Sequence, residues 1–135
     1  MEIYVKSQPV SEKSLVLLDL EGATFPKIVM KSEREFFIKL YAPWCAHSRA
    51  MAEEFDEAAR RLGKNQNIMF AQMDYTVNEI SGLEIPGYPT IKFYGKDKSI
   101  DPIDYEGGRT ADEFVAWLKE NTEYEWVEPM LAPQQ

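Results

Sequence analysis

One cysteine, Cys45, is all that these 135 residues contain, which excludes an internal disulfide and leaves the redox compartment open. Positive charge is also scarce. Fifteen basic residues stand against 23 acidic ones, a net charge of -8, which argues against nucleic acid or an anionic membrane as the main partner and favours solubility. No hydrophobic run approaches the ~20 residues of a membrane span. Glu2, Lys6, Glu12 and Lys13 interrupt any apolar core of a secretory signal within residues 1–20, and Leu131 to Gln135 match no retrieval or lipidation signal. The expectation is a cytosolic chain or a domain of a longer secretory-pathway protein. Internal repeats and low-complexity segments are missing as well. The 44% hydrophobic and 13% aromatic content instead fits one globular domain with a real core.

Three regions are expected: a polar arm over 1–13, a domain over 14–121 and an acidic tail over 122–135. Leu15 to Leu18 reads as a short strand, after which Gly22 breaks the chain and Thr24 caps a short helix through Met30. Phe36 to Tyr41 has the length and aromatic content of a central strand, apart from Lys39. Apolar residues at helical spacing, Met51, Phe55, Ala58, Ala59 and Leu62, predict a helix from Trp44 to Leu62. Asp56–Arg60 and Glu57–Arg61 would pair along its charged face, and Gly63 would end it in a positive-φ conformation. A strand at Ile68 to Met73, a helix at Thr76 to Ser81, strands at Thr90 to Tyr94 and Ile103 to Tyr105, and a helix capped by Thr110 complete the order. This β-α-β-α-β-α-β-β-α succession predicts an α/β fold, a central mixed sheet flanked by helices on both faces. Phe36, Phe37, Tyr41, Phe55, Phe70, Phe93, Phe114 and Trp117 are core candidates. The tail from Tyr124 to Leu131 carries large apolar groups that either fray or pack against the domain, toward a groove around Trp44, Tyr88 and Pro89.

Cys45 lies in Ala42-Pro43-Trp44-Cys45-Ala46-His47-Ser48-Arg49, at a strand-to-helix junction. Backbone N–H groups and the helix dipole at such a place stabilise a thiolate, the attacking species in disulfide chemistry. Dithiol motifs read Cys-x-x-Cys, whereas here Ser48 takes the second place, so nothing on the chain can resolve a mixed disulfide formed at Cys45. His47 is a candidate for tuning the thiol, because imidazole titrates near physiological pH.

These residues, together with Phe37-Ile38-Lys39-Leu40-Tyr41, Met73-Asp74, Gly87-Tyr88-Pro89-Thr90-Ile91-Lys92-Phe93 and Asp104-Tyr105-Glu106-Gly107-Gly108-Arg109-Thr110, resemble a thioredoxin-fold domain of the protein disulfide isomerase family. The resemblance covers about residues 7–121 and is greatest to the last catalytic domain of those proteins. It implies that Cys45 is the nucleophile, that His47 favours its thiolate, and that Pro89 is a cis-proline facing it. It further implies that Trp44 and the Tyr88 backbone contact client peptides and that Arg109 approaches the site during exchange.

Three positions depart from the family. Ser48 replaces the resolving cysteine, Lys39 replaces a buried carboxylate that accepts that cysteine's proton, and Glu53 replaces a helix-kinking proline. The first two belong to one step, which favours a naturally monothiol domain over an engineered trap carrying the serine alone. Lys39 is either an ammonium snorkelling to solvent or a partly buried amine that modulates Cys45. The function implied is thiol–disulfide exchange through Cys45, as isomerisation or covalent client capture, without dithiol oxidase activity. Its setting would be the endoplasmic reticulum lumen, with no metal or organic cofactor. Cysteine-containing proteins would be the partners, and a Cys45–Cys45 dimer a possible oxidation product. The alternatives are a redox-inactive peptide-binding or chaperone module, and a Cys-to-Ser trap of an ordinary disulfide isomerase.

Overall fold

A computed structural model describes residues 17–129. The arm at 1–13, the start of the strand expected from Leu15, and the tail beyond Pro129 lie outside the described residues. Five strands form one sheet in the order β1-β3-β2-β4-β5: β1 (Leu18–Asp19), β2 (Glu35–Tyr41), β3 (Ile68–Asp74), β4 (Thr90–Tyr94) and β5 (Ile103–Asp104). β1, β3 and β2 are parallel, while β4 and β5 run antiparallel. The mixed sheet expected from the element order is therefore present.

Alternation along β2 divides the core. Phe36, Ile38 and Leu40 face one side with Phe25, Val29, Met73 and Tyr94. Phe37 faces the other, where α1 (Ala46–Arg61) and α2 (Ala111–Asn121) pack side by side. Its ring is fully buried, with its centroid 5.5 Å from each of Phe55, Phe70 and Tyr105 and 5.8 Å from Trp117. These aromatics pack on one another as a core. α2 starts with a complete capping box, in which the Thr110 side chain accepts from the Glu113 N–H and Glu113 reaches back to the Thr110 N–H.

Several local expectations are corrected. Helix α1 spans Ala46–Arg61 rather than starting at Trp44, and Cys45 is its N-cap residue. Gly63 ends nothing through a positive φ; the chain leaves α1 through Leu62, at φ -99 and ψ 21. Glu57 takes both Arg60 (2.9 Å) and Arg61 (3.1 Å), which leaves Asp56 unpaired with Arg60. Thr24 caps no helix, because its hydroxyl donates to the Glu21 carbonyl. The segment after it is a π-helical turn, Pro26–Met30, covering the face of the sheet opposite α1 and α2.

The helix expected at Thr76 to Ser81 is absent. Asp74 accepts from the Thr76 N–H, Asn78 donates to the Asp74 carbonyl, and the Tyr75 hydroxyl accepts from the Ile80 N–H while donating to the Leu83 carbonyl. Side chains satisfy the backbone groups that a helix would have used. Gly22 lets this loop approach, since a Cβ there would meet the Glu79 carbonyl oxygen at 2.8 Å.

The tail packs against the domain, but away from Trp44, Tyr88 and Pro89. Thr122 Oγ1 (2.6 Å) and the Glu123 N–H (2.8 Å) donate to the buried Glu35 carboxylate, and Asn65 exchanges two hydrogen bonds with the Val127 backbone. Trp126 packs on the core beside α2. Glu35 opens β2 and Tyr41 closes it, so this anchorage lies about 20 Å from the Cys45 end at ~3.3 Å per residue.

Candidate functional site

The candidate site forms where β2 ends and α1 begins. Tyr41 leads through Ala42, Pro43 and Trp44 to Cys45, whose own N–H donates to the Ala42 carbonyl (3.0 Å), and the Cys45 carbonyl accepts from the Arg49 N–H (3.0 Å) as α1 starts. The Cys45 backbone is extended, at φ -87 and ψ 123, and its side chain caps nothing. The partly exposed thiol instead points across the junction, with Sγ 3.8 Å from the Tyr88 carbonyl oxygen. The Tyr88–Pro89 bond is cis, and Pro89 leads straight into β4.

The Cys45 thiol is held below its ordinary pKa. The Ser48 backbone N–H is the largest cause, ahead of the opposing desolvation, and the His47 N–H, the Ser48 hydroxyl and the Arg49 charge add to it. These are the first N–H groups of a helix, which have no intrahelical acceptor and are free to stabilise an anion. His47 contributes its backbone; its imidazole is exposed. Arg49 escaped the sequence reading, although its spacing of four from an N-cap cysteine was the available signal. Its guanidinium donates to the Pro43 carbonyl at 3.2 Å.

Ser48 is buried, 3% exposed, and its Oγ lies 3.4 Å from the Ala42 N–H as a weak acceptor. Trp44 is 67% exposed and meets Tyr88 edge-on, ring centroids 5.7 Å apart, so an aromatic rim stands beside the sulfur. Arg109 is exposed and lines a small cleft of about 150 Å³ with Met51, Pro89, Ile91 and Tyr105. Cys45, Trp44, Tyr88 and Pro89 are thus brought together, while Arg109 shares only the small cleft with Pro89. Glu53 is on the exposed face of α1.

Lys39 does not snorkel to solvent. It is 3% exposed, with its Nζ 5.3 Å from the Phe55 ring centroid and 5.4 Å from that of Tyr41. Burial pushes its ammonium down from the ordinary lysine range, opposed by the charges of Asp56 and Asp19. Among the described residues no group of three or more His, Cys, Asp or Glu side chains could hold a metal ion, and no helix is long and apolar enough to cross a membrane.

A family model described as Thioredoxin matches residues 16–120. Protein disulfide-isomerase A3 of Gallus gallus is 37% identical over 118 residues, covering 86% of this chain and 23% of that protein. Protein disulfide-isomerase of Triticum aestivum is 37% identical over 122 residues, covering 89% of the chain and 23% of its relative. The chain therefore spans about a quarter of the length of these curated relatives. Among solved structures, the first thioredoxin domain of mouse Protein disulfide-isomerase A4 superposes with a TM-score of 0.67 at 27% identity, covering 97% of this chain and 96% of that one. With the match running from the residues before β1 through nearly all of α2, the chain belongs to the thioredoxin family, and within it stands with the protein disulfide-isomerase domains.

Proposed function

We propose that this domain performs monothiol thiol–disulfide exchange on cysteine-containing proteins in the endoplasmic reticulum lumen. The observation that carries the reading is the Cys45 sulfur itself. It is partly exposed, lowered in pKa by the first N–H groups of α1, and set 3.8 Å from the carbonyl of Tyr88, which precedes the cis bond. The Cys45 thiolate attacks one sulfur of a client disulfide, forming a Cys45–client disulfide and releasing the other client sulfur as thiolate. Ser48 has no thiol with which to displace the client. A client thiolate must therefore attack the client sulfur of the mixed disulfide, and the electron pair returns to Cys45. The cycle is electron-neutral, so it isomerises disulfides or holds clients covalently and needs no oxidant.

Trp44 and Tyr88 supply an aromatic rim for the segment beside the client cysteine, and Arg109 and Pro89 line the neighbouring small cleft. The 67% exposure of Trp44 also favours a second reading, a peptide-binding module in which Cys45 is incidental. A disulfide-bonded peptide incubated with the protein and run on a non-reducing gel separates the two. Exchange requires a covalent adduct that persists without a second thiol and is lost in Cys45→Ala. Peptide binding retained in Cys45→Ala, with no adduct in the parent protein, overturns exchange in favour of the module. Oxidation of the protein alone should give a Cys45–Cys45 dimer or a small-thiol adduct, since no internal disulfide can form.

A further inference from the structure

Behind the N-terminus of α1, on the side away from Tyr88, lies a cleft of about 570 Å³ whose lining includes Lys39, Tyr41, Ser48, Arg49 and Asp74. Lys39 is the unusual member. Its side chain is almost wholly buried, yet among the described residues its ammonium has neither a hydrogen bond nor an ion pair, only the ring faces of Tyr41 and Phe55. A buried charge without a partner is costly. Register explains the placement: β2 alternates, so Lys39 falls in the helix-facing row with Phe37 and Tyr41, beneath the turn of α1 that carries Ser48 and Ala52. Ser48 therefore has one side on the cleft and the other, through its N–H and hydroxyl, on the Cys45 sulfur.

We propose that Lys39 is a positioning residue for exchange at Cys45, its charge acting on the sulfur through Ser48 from the cleft behind the helix N-terminus. The proposal rests on the exchange reading of Cys45 and adds how the second half of that cycle is driven. In a chain without a resolving thiol, release happens when a client thiolate attacks the client sulfur and Cys45 departs with the electron pair. A positive charge behind Ser48 stabilises that departing thiolate, and a thiol of lower pKa leaves faster. A carboxylate in this place would oppose it.

The groups facing Lys39 set the balance. Asp56 on α1 and Asp19 on β1 favour its protonated form, and Glu21 and Asp74 add negative charge to the same cleft. Arg49 on α1 opposes them. Tyr41, pushed up to about 12 by burial with Asp74 and Asp19 contributing, stays neutral throughout the useful range. The charge on Lys39 is thus the one in the cleft whose loss, as pH rises, would be felt at Cys45.

Coupling is reciprocal, so it can be read from either end. In protein labelled with 13C at lysine Cε, the Lys39 resonance is assigned by its loss in Lys39→Arg and followed against pH, with Cys45 free and with Cys45 capped by a neutral S-methylthio group. Capping removes the thiolate and should lower the Lys39 midpoint. From the other end, Lys39→Met should raise the midpoint of Cys45 alkylation by about half a unit, roughly a threefold loss of thiolate near neutrality, while Lys39→Arg keeps the low midpoint. A Lys39 titration identical in free and capped protein overturns the proposal, as does an unchanged alkylation midpoint in folded Lys39→Met. The capping experiment needs no variant that might misfold. It also gives its answer whether or not clients are trapped, so failure of the coupling and failure of the exchange reading are distinguishable.

Discussion

The Cys45 sulfur and the Tyr88 carbonyl oxygen lie 3.8 Å apart, across the junction between α1 and the cis bond that leads into β4. In the thiol form the S–H donates to that carbonyl. On ionisation this bond is lost, and the N–H groups of Ser48 and His47 hold the charge instead. The N–H groups outweigh the opposing desolvation and lower the thiol pKa, which sets the direction of the first prediction: alkylation of Cys45 against pH should show a midpoint below the ~8.5 of a free cysteine. A midpoint at or above that value would remove the activated nucleophile.

Trp44→Ala should separate binding from chemistry. The side chain is 67% exposed and touches Tyr88 edge-on, so its loss should change stability by less than about 0.5 kcal/mol. Exchange with a peptide carrying an aromatic residue next to its cysteine should show KM raised by roughly threefold to tenfold, the worth of one aromatic contact. Small-molecule alkylation of Cys45 should be unaffected. Equal effects on peptide and alkylating agent would place Trp44 in shaping the junction rather than in client contact.

Ser48→Cys should restore only part of a dithiol activity. The new thiol would occupy the buried place of Ser48 beneath Cys45, 3% exposed. Mild oxidation should then close a disulfide between Cys45 and the introduced thiol in place of the intermolecular dimer, and reduction of insulin should rise. The buried Lys39 offers no carboxylate to accept the second thiol's proton, so Lys39→Glu combined with Ser48→Cys should exceed the single variant and do so non-additively. That carboxylate would face Asp19 and Asp56, which would raise its pKa toward the range of a useful base. Equal insulin reduction by the single and double variants would remove position 39 from the resolving step.

The site was legible in the sequence because its parts are backbone motifs: a cysteine after Ala-Pro-Trp, a Tyr-Pro before a strand, and two glycines before a capped helix. Lys39 stood out in the sequence as the exception in an apolar, aromatic strand, and the sheet register puts it in the row of Phe37. How deep that row lies depends on where α1 sits, so the choice between a snorkelling and a buried ammonium needed the packing of Phe55. The 76–81 segment misled because its helical pattern is overridden by hydrogen bonds from Asp74, Asn78 and Tyr75, whose partners are set by tertiary position. Glu35 directly precedes the apolar run from Phe36, and nothing near it in sequence marks it as buried. Its partners, Thr122 and Glu123, stand 87 and 88 residues away.

Ending the chain at Thr122 tests what the tail does. It removes Trp126 from the core, the paired hydrogen bonds between Asn65 and Val127, and the Glu123 N–H from Glu35. A stability loss of about 1–3 kcal/mol should follow, seen as a lower denaturant midpoint. Because these contacts are at the Glu35 end of β2, oxidative dimerisation and alkylation of Cys45 should be unchanged. Faster dimerisation of the shortened chain would show that the tail reaches the thiol.

Glu35 gives the pH dependence of the fold. Burial lifts its carboxyl above the ordinary glutamate value, more than the Glu123 N–H and the Thr122 hydroxyl pull it down, with the Glu123 charge adding to the rise and Lys98 opposing it. A group whose folded pKa is raised stabilises the fold below its unfolded pKa and loses that contribution as pH rises through the folded value. The window therefore opens near 4.5 and extends upward. In Glu35→Gln the amide cannot ionise, and the Thr122 hydroxyl can turn to accept from it. The melting temperature of wild type relative to Glu35→Gln should accordingly fall as pH rises from about 4.5 toward neutrality. The shortened chain sharpens the test, because without the Glu123 N–H the Glu35 carboxylate loses its strongest support and its window should move further up. A constant difference between wild type and Glu35→Gln across that range would mean that Glu35 titrates alike in the folded and unfolded chain.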